Sequence, residues 1–270
     1  MRIIDHHKIA FHTSDDRAVT YAEVKDHVAA FRALLKVKKG DRVLIFSENR
    51  PEWIYALFAV WYADGIPVPV DASMPAADLA WIIGNCTPRA VCCSTDTHKT
   101  VAAAIKKAGR AKPALLKLDA LRHPKKIAPL PQLPPHPAGD TAVIIYTSGT
   151  TGHPKGIMLS FDNLRANIES IQQAGMIRPE HVILNLLPFH HILPLQGNIL
   201  MPFMIGSTTV FPQSLEKEHL FEAMRKHKVS MLIAVPRIYD LFHNAIMTKV
   251  KKKAVGRVFL ALSRLTGGHR

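Results

Sequence analysis

Cysteine is scarce in this 270-residue chain, with only Cys86, Cys92 and Cys93. An odd count with two adjacent residues excludes a disulfide framework. No paired CxxC or Cys/His spacing is present to build a zinc site, so the thiols read as buried and the compartment as reducing. The amino terminus, MRIIDHHKIAFHTSDD, has neither the apolar centre of a signal peptide nor the Arg/Ser pattern of a transit peptide, which makes the cytoplasm the expected location. Charge is missing from one long stretch, since Val182 to Leu215 contains no Lys, Arg, Asp or Glu. Length alone would allow a membrane span there. Pro188, Pro194, Pro202 and Pro212, together with Asn185, His190, His191, Gln196 and Asn198, argue instead for buried core or the wall of an apolar pocket.

Acidic residues are also in deficit. Lys and Arg number 35 against 21 Asp and Glu, a formal net charge of +14. Composition is otherwise that of a globular chain, 48% hydrophobic and 21% charged, long enough for one large or two modest domains. Basic charge suits a polyphosphate, an anionic membrane or nucleic acid, and does not choose among them. Phe, Tyr and Trp are interleaved with apolar residues, so no stacking platform for bases is legible and a nucleic-acid partner is not expected.

Helix and strand alternate along the chain. Thr20 with Glu23 makes a capping box, and Val24, Val28, Phe31, Leu34 and Leu35 follow at helical spacing, which predicts a helix from Tyr21 to about Lys36. Strands are expected at 43–46, 66–70, 90–93 and 114–118, with helices at 52–63, after Pro75, and at 97–108. Six prolines between His123 and Pro137 mark a linker or strap. Beyond it the pattern predicts strands at 141–147, 182–187, 208–211 and 230–234 and helices at 160–173 and 216–227. This cadence implies an α/β fold with mostly parallel sheets in two successive subdomains, 1–122 and 140–270, joined by the linker 123–139. The carboxyl end interleaves Lys249, Lys251, Lys252, Lys253, Arg257 and Arg264 with apolar residues, a basic amphipathic helix that reads first as a solvated face.

The segment with the clearest chemistry is Tyr146, Thr147, Ser148, Gly149, Thr150, Thr151, Gly152, His153, Pro154, Lys155, Gly156, directly after the apolar run 142–145. Small residues let backbone amides approach a phosphate, four hydroxyls add donors and Lys155 adds a mobile positive charge. The spacing is not that of a Walker loop.

YTSGTTGHPKG resembles the phosphate-loop signature of the adenylate-forming superfamily, which includes acyl-CoA synthetases, luciferases and the adenylation domains of peptide synthetases. Leu187, Pro188, Phe189, His190, His191 resembles the family's second motif and places His191 at its histidine. TYAEV, GDRVLIFSENRPEW, GIPVPVD and VPRIYD resemble further family segments. The resemblance implies the incomplete large amino-terminal domain of an acyl-CoA synthetase. A carboxylate would attack the α-phosphate of ATP to give an acyl-adenylate and pyrophosphate, after which coenzyme A displaces AMP. Thr147, Ser148, Gly149, Thr150, Thr151, Gly152 and Lys155 would hold the β and γ phosphates, Mg2+ would bridge them, and His191 would sit beside the acyl group. The family's adenine and metal segment, ribose aspartate, hinge and catalytic lysine do not occur in these residues, so the chain alone is expected to complete neither half-reaction. The alternative is an inactive nucleotide-binding or interaction protein that keeps the loop. Residues 189–198 lack the acid that peptide-synthetase domains use to pair an ammonium group. The uncharged run and basic tail look most like the long-chain fatty acyl-CoA synthetases, which implies a fatty acid substrate and peripheral contact with a membrane.

Overall fold

The computed structural model describes residues 7–109, 112–120, 129–131, 136–147 and 153–252. It divides into two compact units, Met1–Ile233 and Ala234–Arg270. In the second unit the described element is one helix, Pro236–Lys252.

Three sheets make up the first unit. A four-stranded sheet runs in the order β4-β3-β5-β6, formed by β3 (Arg42–Phe46), β4 (Ile66–Val70), β5 (Ala90–Cys93) and β6 (Ala114–Lys117), all parallel. Each strand is a short apolar run because both faces are covered. Side-chain alternation sends Val43, Ile45, Ala90 and Cys92 into one core and Leu44, Phe46, Val91 and Cys93 into the other. Pro67 and Pro69 in β4 have no N–H to offer a further ladder, and the strand stays at the sheet edge.

A five-stranded sheet has the order β11-β9-β10-β1-β2. It contains β1 (Ile9–His12), β2 (Ala18–Thr20), β9 (Val182–Leu184), β10 (Thr208–Val210) and β11 (Met231–Leu232). β1 runs parallel to β10, so strands from either side of the proline-rich stretch share one sheet. β2 alone is antiparallel. The third sheet is a hairpin of β7 (Thr141–Thr147) and β8 (Lys155–Ser160).

Helix α1 (Tyr21–Leu34) begins at Thr20, where the expected capping box with Glu23 is formed. Helix α2 (Pro51–Tyr62) is buried on every side from Trp53 to Tyr62, as a helix lying inside a core must be. Its Trp61 indole donates to the Ala142 carbonyl at 2.7 Å, tying α2 to β7. Helices α3 (Ala76–Cys86) and α4 (His98–Ala108) flank the four-stranded sheet, and α5 (Phe161–Gln173) follows the hairpin from a second capping box, Ser160 with Asn163. The three thiols are buried and free, and burial pushes Cys86 and Cys93 up to about 11.

The uncharged run is mostly core. A helix spans residues 192–205 and contains a π-helical stretch, Leu195–Leu200, in which every residue is buried. A Cβ on Gly197 would lie 2.6 Å from the end of the Ile233 side chain, which would have to shift to admit one. Among the described residues no helix is long and apolar enough to cross a membrane.

Candidate functional site

Strand ends place a cavity with a mixed polar and apolar lining. The loops that leave β3, β4, β9 and β10 at their carboxyl ends surround a cleft of about 400 Å³. Ligands of open α/β sheets bind at this edge, where the loops diverge. The polar lining is Ser47, Glu48, Asn49, Asp71, Ser73, Asn185, His190, Gln213 and Ser214, and the apolar lining includes Leu186, Phe211 and Leu215. No Lys or Arg occurs among the described lining residues.

Asn49 fixes the wall that carries the histidines. Its amide donates to the Leu187 carbonyl at 2.8 Å and accepts from the Phe189 N–H at 2.9 Å, clasping the backbone of the Leu-Pro-Phe motif. Asn49 is itself held by its neighbours. The Arg50 guanidinium bonds Glu52 at 2.8 Å, Glu48 at 3.2 Å and Asp119 at 2.7 Å, and Asp119 also accepts from the Thr95 N–H at 2.6 Å. One planar donor thereby ties together the loops after β3 and β5 and the turn Leu118–Ala120. Burial opposes charge on Asp119, but Arg50 and the Thr95 amide hold its carboxyl below the usual carboxylate range.

The two histidines separate. His190 lines the cavity, whereas His191 is exposed, stands outside that lining and forms the N-cap of the next helix. Their rings are 4.1 Å apart and tilted by 50°. Burial, then His191, push His190 down to about 4 against the opposing pull of Asp71, so its imidazole is neutral at physiological pH. Asp71 stays charged: burial opposes this, but the Ser73 amide and hydroxyl bond its carboxylate and the two histidines lie nearby.

The glycine-rich segment is carried by the hairpin. β7 leaves the core through Ile145 and Tyr146, and Thr147 at its end is the register partner of Lys155 at the start of β8. Both face solvent. The pairing of β7 with β8 thus brings the ends carrying the Thr147 hydroxyl and the Lys155 ammonium side by side. Ser148, Gly149, Thr150, Thr151 and Gly152 fall outside the described residues. Neither Thr147 nor Lys155 lines the 400 Å³ cavity. Among the described residues no three His, Cys, Asp or Glu side chains gather as a metal-ligand set.

Sequence reasoning attached no role to Asn49, Asp71 or Arg50. The segment SENRPEW was legible only as part of a longer resemblance, and the clasp becomes apparent once residues 138 positions apart meet.

The chain belongs to the AMP-binding enzyme family, whose model matches residues 5–269. It is 29% identical over 208 residues to the mitochondrial malonate–CoA ligase of Homo sapiens, covering 74% of this chain and 35% of that protein. A long-chain-fatty-acid–CoA ligase of Mycobacterium bovis is 28% identical over 258 residues, covering 89% of this chain and 42% of the relative. The inhibitor-bound N-terminal domain of FACL13 from Mycobacterium tuberculosis superposes with a TM-score of 0.75 at 21% identity, over 87% of this chain and 61% of that domain. The chain therefore spans well under half the length of these two curated relatives.

Proposed function

We propose that the chain serves the ATP-dependent activation of a monocarboxylic acid, with a fatty acid as the substrate class, in an AMP-forming acyl-CoA ligase. The carboxylate oxygen bonds to the α-phosphorus of ATP as the α–β bridging bond breaks, giving acyl-AMP and pyrophosphate. The thiolate of coenzyme A then attacks the acyl carbon, and AMP leaves.

The observation that carries the reading is the hairpin mouth, where Thr147 and Lys155 are register partners at the two ends of the glycine-rich segment. On this reading Lys155 neutralises charge on the leaving pyrophosphate, and Thr147, Ser148, Gly149, Thr150, Thr151 and Gly152 supply hydroxyl and amide donors to the β and γ phosphates. Mg2+ bound to the triphosphate would neutralise part of its charge, and among the described residues no three His, Cys, Asp or Glu side chains gather as a metal-ligand set.

The cavity supports the choice of acid. Its Asp71 would repel the second carboxylate of a dicarboxylate such as malonate, and no Lys or Arg in the described lining would pair it. Leu186, Phe211 and Leu215 can instead cover an apolar chain. His190, neutral at the wall, is the imidazole placed to hydrogen-bond a carboxyl oxygen. His191 would act from beside it, in the role the family motif implies.

Calorimetric titration with ATP tests the reading. K155A should weaken binding by at least about tenfold, equivalent to 1.4 kcal/mol. Undiminished binding overturns the phosphate role.

A further inference from the structure

Both ends of the glycine-rich segment are gripped by the same helix. On the incoming side, the Tyr146 hydroxyl donates to the Asn85 side-chain oxygen of α3. Its ring meets Trp81 of α3 edge-on, with centroids 6.2 Å apart at 87°. On the outgoing side, the His153 ring lies flat on the same Trp81, with centroids 5.2 Å apart and planes 4° from parallel. Gly156 makes room for this arrangement, since a Cβ there would stand 3.1 Å from the Tyr146 ring.

Trp81 and Tyr146 pack against the buried cluster on one face of the four-stranded sheet, but core formation does not account for the stacking of His153. Trp81 is half-buried, unlike Trp53 and Trp61, which are fully buried, and His153 and Asn85 are exposed. A solvent-facing imidazole held parallel to an indole covers little apolar surface. What it does is fix the chain two residues before Lys155, while Tyr146 fixes it one residue before Thr147. Holding the backbone beside Thr147 and Lys155 leaves those two residues less freedom to lose when a ligand engages them.

We propose that Trp81 and Asn85 form a bracket on α3 that positions Thr147 and Lys155 through Tyr146 and His153, and thereby set the affinity for ATP. The inference rests on the proposed reading of the loop as phosphate-binding. Trp81 is a positioning residue: it acts through His153 and Tyr146 and does not itself touch phosphate. The grip on the outgoing side depends on an aromatic face, so a ring should substitute for the indole and an aliphatic side chain of similar bulk should not.

The test is ATP affinity, by calorimetry, of the intact chain and of W81L, W81F and H153A, with K155A as the reference. Loss of an aromatic pair corresponds to roughly three- to tenfold weaker binding, expected for W81L and for H153A. W81F should stay within about twofold, because the ring contact survives. The W81L/H153A double variant should bind no worse than W81L alone, since the two side chains act as one contact. H153A alters only an exposed ring and keeps the test decisive if W81L unfolds. Wild-type affinity in H153A, or equal losses in W81F and W81L, overturns the bracket while leaving the phosphate loop standing. Absence of ATP binding by the unaltered chain, or ATP binding that K155A leaves intact, overturns both.

Discussion

At the hairpin mouth the facing side chains are Thr147 and Lys155, both exposed, one a neutral donor and the other a cation. At the strand-end cavity they are Glu48, Asp71, a neutral His190 and several amides and hydroxyls, with no Lys or Arg in the described lining. On the proposed reading a triphosphate is stabilised at the first place and repelled at the second. An uncharged chain with one polar end suits the second and finds no cover at the first. The +14 net charge therefore says less than its placement, because the strand-end cavity carries acids and no described Lys or Arg.

The comparison can be broken most forcefully at Lys155. K155A should cost ATP at least about tenfold in affinity and leave binding of a fluorescent fatty acid unchanged. Loss of both ligands in a folded protein would mean that the two places are one site. The reverse separation is expected from N49A. Removing the clasp leaves the Leu187 carbonyl and the Phe189 N–H without partners and should destabilise the fold by about 1–3 kcal/mol in denaturant unfolding. Fatty-acid binding should fall with it, and ATP binding by the folded fraction should not.

A smaller effect sharpens the charge argument. D71N removes one carboxylate from the cavity and should raise affinity for malonate by up to about fivefold, read by competition against the fluorescent fatty acid. No gain would remove the case for a monocarboxylate.

The least effect is in the pH dependence. His190 has its folded value lowered from 6.5 to about 4, so the unfolded chain binds the extra proton first. Its contribution to stability is complete above about 6.5 and is lost as pH falls towards 4. H190Q should therefore flatten the acid side of the Tm profile by a few degrees. A profile parallel to that of the parent would contradict the neutral, half-buried imidazole.

Much of the α/β pattern was legible because the signals were local. Ile66–Val70 and Ala90–Cys93 are apolar runs bounded by turn residues, and Thr20 with Glu23 announces a helix start within four residues. What escaped depends on distant partners. β1 and β2 are a few residues long, and β1 is a strand because β10, nearly two hundred positions away, pairs with it. β8 is largely exposed and opens on Lys-Gly, so it reads as loop until β7 lies beside it. The helix over residues 192–205 was hidden by Pro194, Pro202 and a glycine, all of which it accommodates around a π-helical stretch.

The candidate site divides the same way. Lys155 and the glycine-rich segment are contiguous in sequence and stood out there. The cavity draws on four separate loops, and its wall histidine is His190, not the His191 that the motif selected. Adjacent residues point differently where a chain turns into a helix, and position in a motif does not settle which ring faces the cleft.

Amide hydrogen exchange with and without ATP tests the division of labour most directly. The account predicts that ATP protects peptides spanning Tyr146 to Gly156, including the Lys155 amide. Protection confined to the cavity walls around Asn185 to His190, with the hairpin peptides unchanged, would contradict it.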